Sequence, residues 1–321
     1  MRGRPPACRD PDRGQDERHT LDAALACHST PTELDFWEEV ADTYAVGYGG
    51  QAPTARLAEL ADDVIALRTL LARPQTTTDR TRLCRTVGQL SGMAAIVLHD
   101  LGETREARGW FHSARMAAGE SGARQLVAWL YAREAMTPLT YGVPRDAVRL
   151  ADRALLAAGD SPSAAAALAA AVSARAHAVT GNREAARAAL ARTQEIADRL
   201  DSASTADTWL GLPEQKLHLS HAHTRLGATA QARAAQDRAL QLSGPNSYQA
   251  RALMRMDAAL CDHHAGDKAQ GCRRAVDAPI ELPTDQRTGL VRSRAADLLR
   301  HIPASRTGER TVTDLRDLLR T

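Results

Sequence analysis

A chain of 321 residues has room for two average globular domains or one extended repeat array, so length leaves both open. Ala, Leu and Arg dominate while only two Phe, four Trp and five Tyr occur; strand-forming types are scarce and helix is the default reading. The 41 basic against 39 acidic side chains leave a formal +2, which excludes a global field drawing the chain onto nucleic acid or membrane, and five widely spaced Cys fit no disulfide framework and point to a reducing cytoplasm.

Residues 1–30 mix Arg2, Arg4, Arg9, Arg13 and Arg18 with Asp10, Asp12, Asp16 and Glu17, and carry almost no apolar periodicity. Such a segment cannot bury enough surface to order itself, so a flexible tail is expected, and with no apolar run no secretory signal. Residues 31–75 read as an N-terminal helical pair. Thr32 with Asp35 gives a capping pattern ahead of Leu34, Trp37, Val40, Ala41, Tyr44 and Tyr48, and Gly49-Gly50 ends that helix. Pro53 then suits a first helical turn, Leu57, Leu60, Val64, Leu67 and Leu71 form the next stripe, and Pro74 stops it.

Residues 76–302 contain a recurring turn. Gly102, Gly142, Gly181, Gly227 and Gly266 are spaced by 39 to 46 residues. Seven residues before each stand Ala95, Ala135, Ala174, Ser220 and Ala259; five after stand Ala107, Ala147, Ala186, Ala232 and Gly271. Nine after come Phe111, Ala151, Leu190, Gln236 and Ala275, and twelve after come Ala114, Ala154, Thr193, Ala239 and Ala278. A glycine tolerates the positive φ of a tight turn, and small residues one helical face apart let two helices cross closely. Helix pairs stacked in sequence order are therefore expected. The most apolar stretch, Ser163 to Val179, is interrupted by Ser173, Arg175 and His177 and is too short and polar to span a bilayer. At the end of the array Leu290, Leu298 and Leu299 predict a capping helix. Past Pro303 and Gly308, residues 303–321 read as a tail whose Leu315, Leu318 and Leu319 mark a short helix, a candidate for self-association as a homodimer.

The segment Leu101-Gly102-Glu103-Thr104-Arg105-Glu106-Ala107, with Phe111 and Ala114 after it, resembles the turn and second helix of the tetratricopeptide repeat. Thr193, Gln236 and Gly271 depart from that family's usual residue classes, and the spacing exceeds its usual ~34 residues, so longer helices or turns are implied. Asp35-Phe36-Trp37 through Tyr44, Tyr48-Gly49-Gly50, Leu67-Arg68, Gly211-Leu212-Pro213-Glu214 and Arg287-Thr288-Gly289-Leu290-Val291-Arg292 extend the likeness. Over about residues 34–303 the chain resembles the C-terminal sensor region of actinobacterial Xre-type (Cro/repressor-like) helix-turn-helix transcriptional regulators. The implied fold is all-α, a right-handed α-solenoid of tetratricopeptide-like helix pairs.

In that family a small helical DNA-binding domain precedes the repeats, and the repeats sense a ligand, a peptide or a partner. Thirty tail residues cannot fold such a domain, so direct DNA binding by this chain is not expected. The resemblance further implies that the first helix of each pair lines a concave groove, at positions 13, 10, 6 and 3 before each glycine. The candidate groove residues are Gln89, Ile96 and His99; Trp129, Met136 and Leu139; Arg175; Glu214, Leu217 and His221; and Met256, Leu260 and His263, with Gly92, Ala132, Leu168, Ala171, Ala178, Thr224 and Leu253 completing the columns. A mostly apolar wall with few polar groups suits an apolar ligand or peptide oriented by hydrogen bonds.

His218, His221 and His223 do not share one helical face, and no phosphate loop, nucleophile elbow or paired-carboxylate motif occurs, so no metal, cofactor or catalysis is expected. The resulting expectation is a cytoplasmic, non-enzymatic regulatory sensor that binds a protein, a peptide or a small apolar signalling molecule. A plain interaction scaffold comes second, and a biosynthetic-pathway enzyme third.

Overall fold

Prolines and glycines set where this chain's helices begin and end. A computed structural model describes residues 30–46, 50–200, 212–244, 246–300, 312–313, 316–317 and 319. The expected tail at 1–30 lies almost wholly outside them, as do Tyr48, Gly49 and residues 201–211. Among the described residues there is no strand. The helices are α1 (Pro31–Val46), α2 (Pro53–Leu71), α3 (Thr77–Leu101), α4 (Thr104–Glu120), α5 (Arg124–Glu134), α6 (Met136–Tyr141) and α7 (Pro144–Ala158). They continue with α8 (Ala164–Val179), α9 (Arg183–Asp198), α10 (Leu212–Leu226), α11 (Thr229–Leu242), α12 (Tyr248–His264), α13 (Lys268–Ile280) and α14 (Gly289–Leu299). In the C-terminal tail the described residues are helical, and Leu319 packs against the core formed by α12, α13 and α14.

Thr30, not Thr32, caps α1: its Oγ1 accepts the Glu33 N–H at 3.2 Å. Pro53 occupies the first turn of α2 as the sequence implies. Thr76 caps α3 by accepting from the Asp79 N–H at 3.1 Å. At the repeated turns Gly102, Gly181, Gly227 and Gly266 are left-handed, with φ of 94°, 80°, 74° and 91°. Behind three of them the next N–H reaches back across the helix end, Glu103 to Leu98 O, Asn182 to His177 O and Ala228 to His223 O, each at 2.9 Å.

Gly142 departs from this pattern, with φ −139°. The cause is Pro138. It has no N–H to give the Glu134 carbonyl and its ring crowds that turn, so the helix breaks at Ala135 into α5 and α6 and reaches Gly142 by a different path.

The small-residue columns are the places where helices meet. Ala95, Ala135, Ala174, Ser220 and Ala259 are buried, as are Ala107, Ala147, Ala186, Ala232 and Gly271. The nine- and twelve-residue columns are buried too, except that Leu190 is half-buried. Helix α8 shows why alanine dominates: it packs on α5, α7, α9 and α10, and eleven consecutive residues from Ala164 to Ala174 are buried. Side chains larger than methyl on all sides would hold four neighbours apart.

Each first helix packs on its second, α3 on α4, α5 on α7, α8 on α9, α10 on α11 and α12 on α13. First helices also pack on one another in chain order, α3, α5, α8, α10, α12 and α14. Helix α14 then returns to α3, which closes the circuit. The return contact is backbone against backbone. A Cβ on Gly289 would lie 2.6 Å from Leu101 O and 2.9 Å from Gly102 Cα. Ser293 Oγ donates to Thr140 O at 3.0 Å and Gln286 Nε2 to Gln51 O at 3.2 Å beside that contact.

Gly289→Ala tests the closure. In an open arrangement alanine at a helix start would be neutral or mildly stabilising. In the closed one the methyl overlaps three backbone atoms that cannot rotate away, so the variant should lose about 1–3 kcal/mol in chemical denaturation. Unchanged or raised stability would show that α14 does not seat on α3.

Candidate functional site

Inside the circuit lies a cavity of about 300 Å³. Its apolar wall comes from Met93, Ile96 and Val97 of α3, Trp129 of α5, Met136 of α6, Leu217 of α10, Leu253 and Met254 of α12, and Leu290 of α14. Its polar wall comes from Arg56, His99, Asp100, Arg133, Arg175, His218, His221, Asp257 and Arg294. At the rim stand Gln51, Ser243, Gly244, Ser247 and Gln249, from the segments beside α2 and around the α11–α12 turn.

Of the groove candidates, Ile96, His99, Trp129, Met136, Arg175, Leu217 and His221 border this one cavity. Gln89, Leu139, Met256, Leu260 and His263 do not. Met256 and Leu260 instead belong to the core shared with α13 and α14. The side chain of Glu214 lies outside the described residues.

The lining follows a regular departure from the expected offsets. Met93, Arg133, His218 and Asp257, each nine residues before its glycine, all face the cavity, whereas most positions at minus ten and minus three do not. The columns at minus 13, 9 and 6, which bring Trp129 and Leu253, then Met93, Arg133, His218 and Asp257, then Ile96, Met136, Arg175 and His221 to the cavity, step by four and three residues, so they too share one face of an α-helix. That stripe was available in the sequence as a second helical face. Leu290 and Arg294 had no such signal, because α14 reaches the cavity only through closure, and Arg56 lies on α2, which packs on α3 but stands outside the repeat columns.

The polar groups form a connected set. Asp257 (2% exposed) accepts from Ser220 Oγ at 3.0 Å, pairs with Arg294 (8% exposed), and lies 3.3 Å from His221 Nδ1. Arg294 also reaches Asp297 Oδ2 at 3.1 Å, and Arg225 pairs with the same carboxylate. Burial opposes charge on Asp257, but Arg294 and then His221 outweigh it and hold the carboxyl below its ordinary range. Ser220 and His221 both point their hydrogen bonds at Asp257, so this trio orients a carboxylate and does not activate a hydroxyl.

The three cavity histidines are neutral at physiological pH. Burial, then Arg175 and Arg133, lowers His99 to about 3; burial, then Arg294 and Arg175, lowers His221 to about 3. Burial, then Arg175 and Arg133, also places His218 well below its ordinary value. His99 Nδ1 lies 3.3 Å from Thr137 Oγ1, and Tyr141 Oη donates to His99 O at 2.9 Å. Among the described residues no three His, Cys, Asp or Glu side chains converge as metal ligands. His218 and His221 share the cavity face, and His223 is absent from its lining. No described helix is long and apolar enough to cross a membrane.

Comparisons with protein-family models, with curated proteins and with solved structures return no match.

Proposed function

We propose that the chain is a non-catalytic sensor: a right-handed α-solenoid of tetratricopeptide-like pairs, bent until its capping helix meets its first full pair, holding a small apolar ligand at its centre. The supporting observation is the cavity itself. Six inner helices contribute to it, its wall is largely apolar, and its volume of about 300 Å³ sits at the lower edge of the ~300–1,000 Å³ typical of small-ligand sites. A cavity of that size favours a small molecule over a peptide or protein in the groove. Occupancy would favour one spacing of the inner helices over another, and that population shift is the signal. The resemblance to regulator sensor regions makes a transcription-linked protein in the cytoplasm the recipient, and an in-frame helix-turn-helix upstream of the codon for Met1 would strengthen that link.

A thermal-shift screen of signalling lactones and other small apolar molecules tests the reading. A true ligand at 100 times its Kd should stabilise by about 2.7 kcal/mol. Replacing Trp129 by Ala and Arg175 by Gln together should abolish the shift while far-UV circular dichroism stays unchanged. A shift that survives the double replacement would place binding elsewhere, and a screen with no stabilising compound would count against the sensor.

A further inference from the structure

Two donors in the cavity wall lack acceptors. Arg175 Nε and His218 Nε2 are shielded from solvent and neither makes a hydrogen bond. The two side chains do meet: Arg175 Nη1 lies 3.4 Å from His218 Nδ1. A guanidinium has only N–H donors, so Nδ1 is the accepting nitrogen, and the neutral ring then carries its proton on Nε2. One fixed positive charge and one imidazole N–H therefore stand side by side in the cavity wall.

The nearby carboxylates are committed elsewhere. Asp257 is taken by Arg294 and Ser220, and Asp297 by Arg225, Arg294 and Arg300. Arg175 makes no ion pair among the described residues. Burial, then Arg294, lowers it only to about 10, so it stays cationic at neutral pH. Arg175 is half-buried with its Nε shielded from solvent, and there a charge without a counter-ion among the described residues is costly, as are its unmade hydrogen bonds. The cavity as a whole repeats the imbalance, since four arginines line it against two aspartates.

Building on the ligand-binding reading of this cavity, we infer that its ligand carries a single carboxylate, which takes the N–H groups of Arg175 and His218 while its apolar body lies against Trp129, Ile96 and Leu217. The planar guanidinium fork matches the two oxygens of a carboxylate, which a neutral carbonyl cannot do.

Calorimetric titration of the full chain at pH 7.5 with octanoate, decanoate and 4-phenylbutyrate, each beside its neutral primary amide, tests the inference. At least one acid should bind tenfold or more tightly than its amide. Arg175→Gln should bring acid and amide to parity, and Arg175→Lys should keep part of the preference. Should Arg175→Gln fail to fold, the acid-to-amide ratio on the unaltered protein decides. Equal binding of acid and amide would overturn the carboxylate and leave the cavity as a site for neutral ligands. Binding of neither series overturns the inference, and if the screen of neutral apolar compounds is also empty, the ligand-binding reading falls with it.

Discussion

Acidification from pH 7 to pH 5 should strip on the order of 6 kcal/mol from the folded state, roughly 2 kcal/mol for each of three histidines. His99, His218 and His221 are 3%, 0% and 5% exposed and all three titrate far below an unfolded imidazole, two of them near pH 3. Between about pH 6.5 and those depressed values the unfolded chain binds protons that the folded chain refuses. Unfolding is therefore favoured as pH falls through that window, and stability is flat above about pH 7. Asp257 acts with the opposite shift and in a lower window. Its pairing stabilises above the unfolded carboxyl value near 3.8 and is lost only as pH drops below that, so it cannot produce a loss at pH 5. Against a typical total of about 5–15 kcal/mol, such a loss brings the protein close to unfolding. Denaturant titrations at pH 7.5, 6.5, 5.5 and 5.0 would measure it. Constant stability across that range would mean that the imidazoles are reached by water or by a counter-ion, and the burial described for the cavity would be wrong.

Asp257→Ala should cost about 3–5 kcal/mol, more than an ordinary core truncation of so small a side chain. The loss comes from what remains. Arg294 is buried, its neighbours include the cationic Arg175 and Arg225, and Ser220 and His221 lose the acceptor that orients them. Removing one member of a buried pair leaves an uncompensated charge, whereas replacing both with apolar groups of similar volume is often neutral. Asp257→Ala combined with Arg294→Met should therefore be more stable than Asp257→Ala alone, and a double-mutant cycle gives the coupling directly. A single variant that loses less than about 1 kcal/mol, or a double variant no better than the single, would show that the pair is solvated and does not tie α14 to α12.

Much of the helical framework was legible because it rests on local rules. Glycines at four repeated turns adopt the left-handed conformation that only glycine takes cheaply, and the residues at fixed offsets from them are small because helices cross there. Even the departure at Gly142 has a local cause in Pro138. The cap of α1 was misplaced by two residues because both Thr30 and Thr32 offer a hydroxyl, and only the chain path chooses between them.

The site was legible in part. Ile96, Met136, Arg175 and His221 share one column of the repeat and all border the cavity. The neighbouring column, with Met93, Arg133, His218 and Asp257, holds most of the remaining inward chemistry and went unpredicted, because offsets borrowed from a family assume that family's curvature. Apolar periodicity gives a helix a buried face but does not say which edge of that face meets a neighbour and which meets a void.

By itself the sequence determined that the chain is helical, where its helices turn, and which residues are small enough for close crossings, since each of these depends on neighbours within one or two turns. Tertiary structure alone decided that α14 comes back to α3 and that a groove becomes a cavity containing Arg294 and Leu290 beside Arg175. The physical reason is that closure sums small rotations over five helix pairs. No single turn encodes that sum, and a contact such as Gly289 against Gly102 joins residues that no local pattern links.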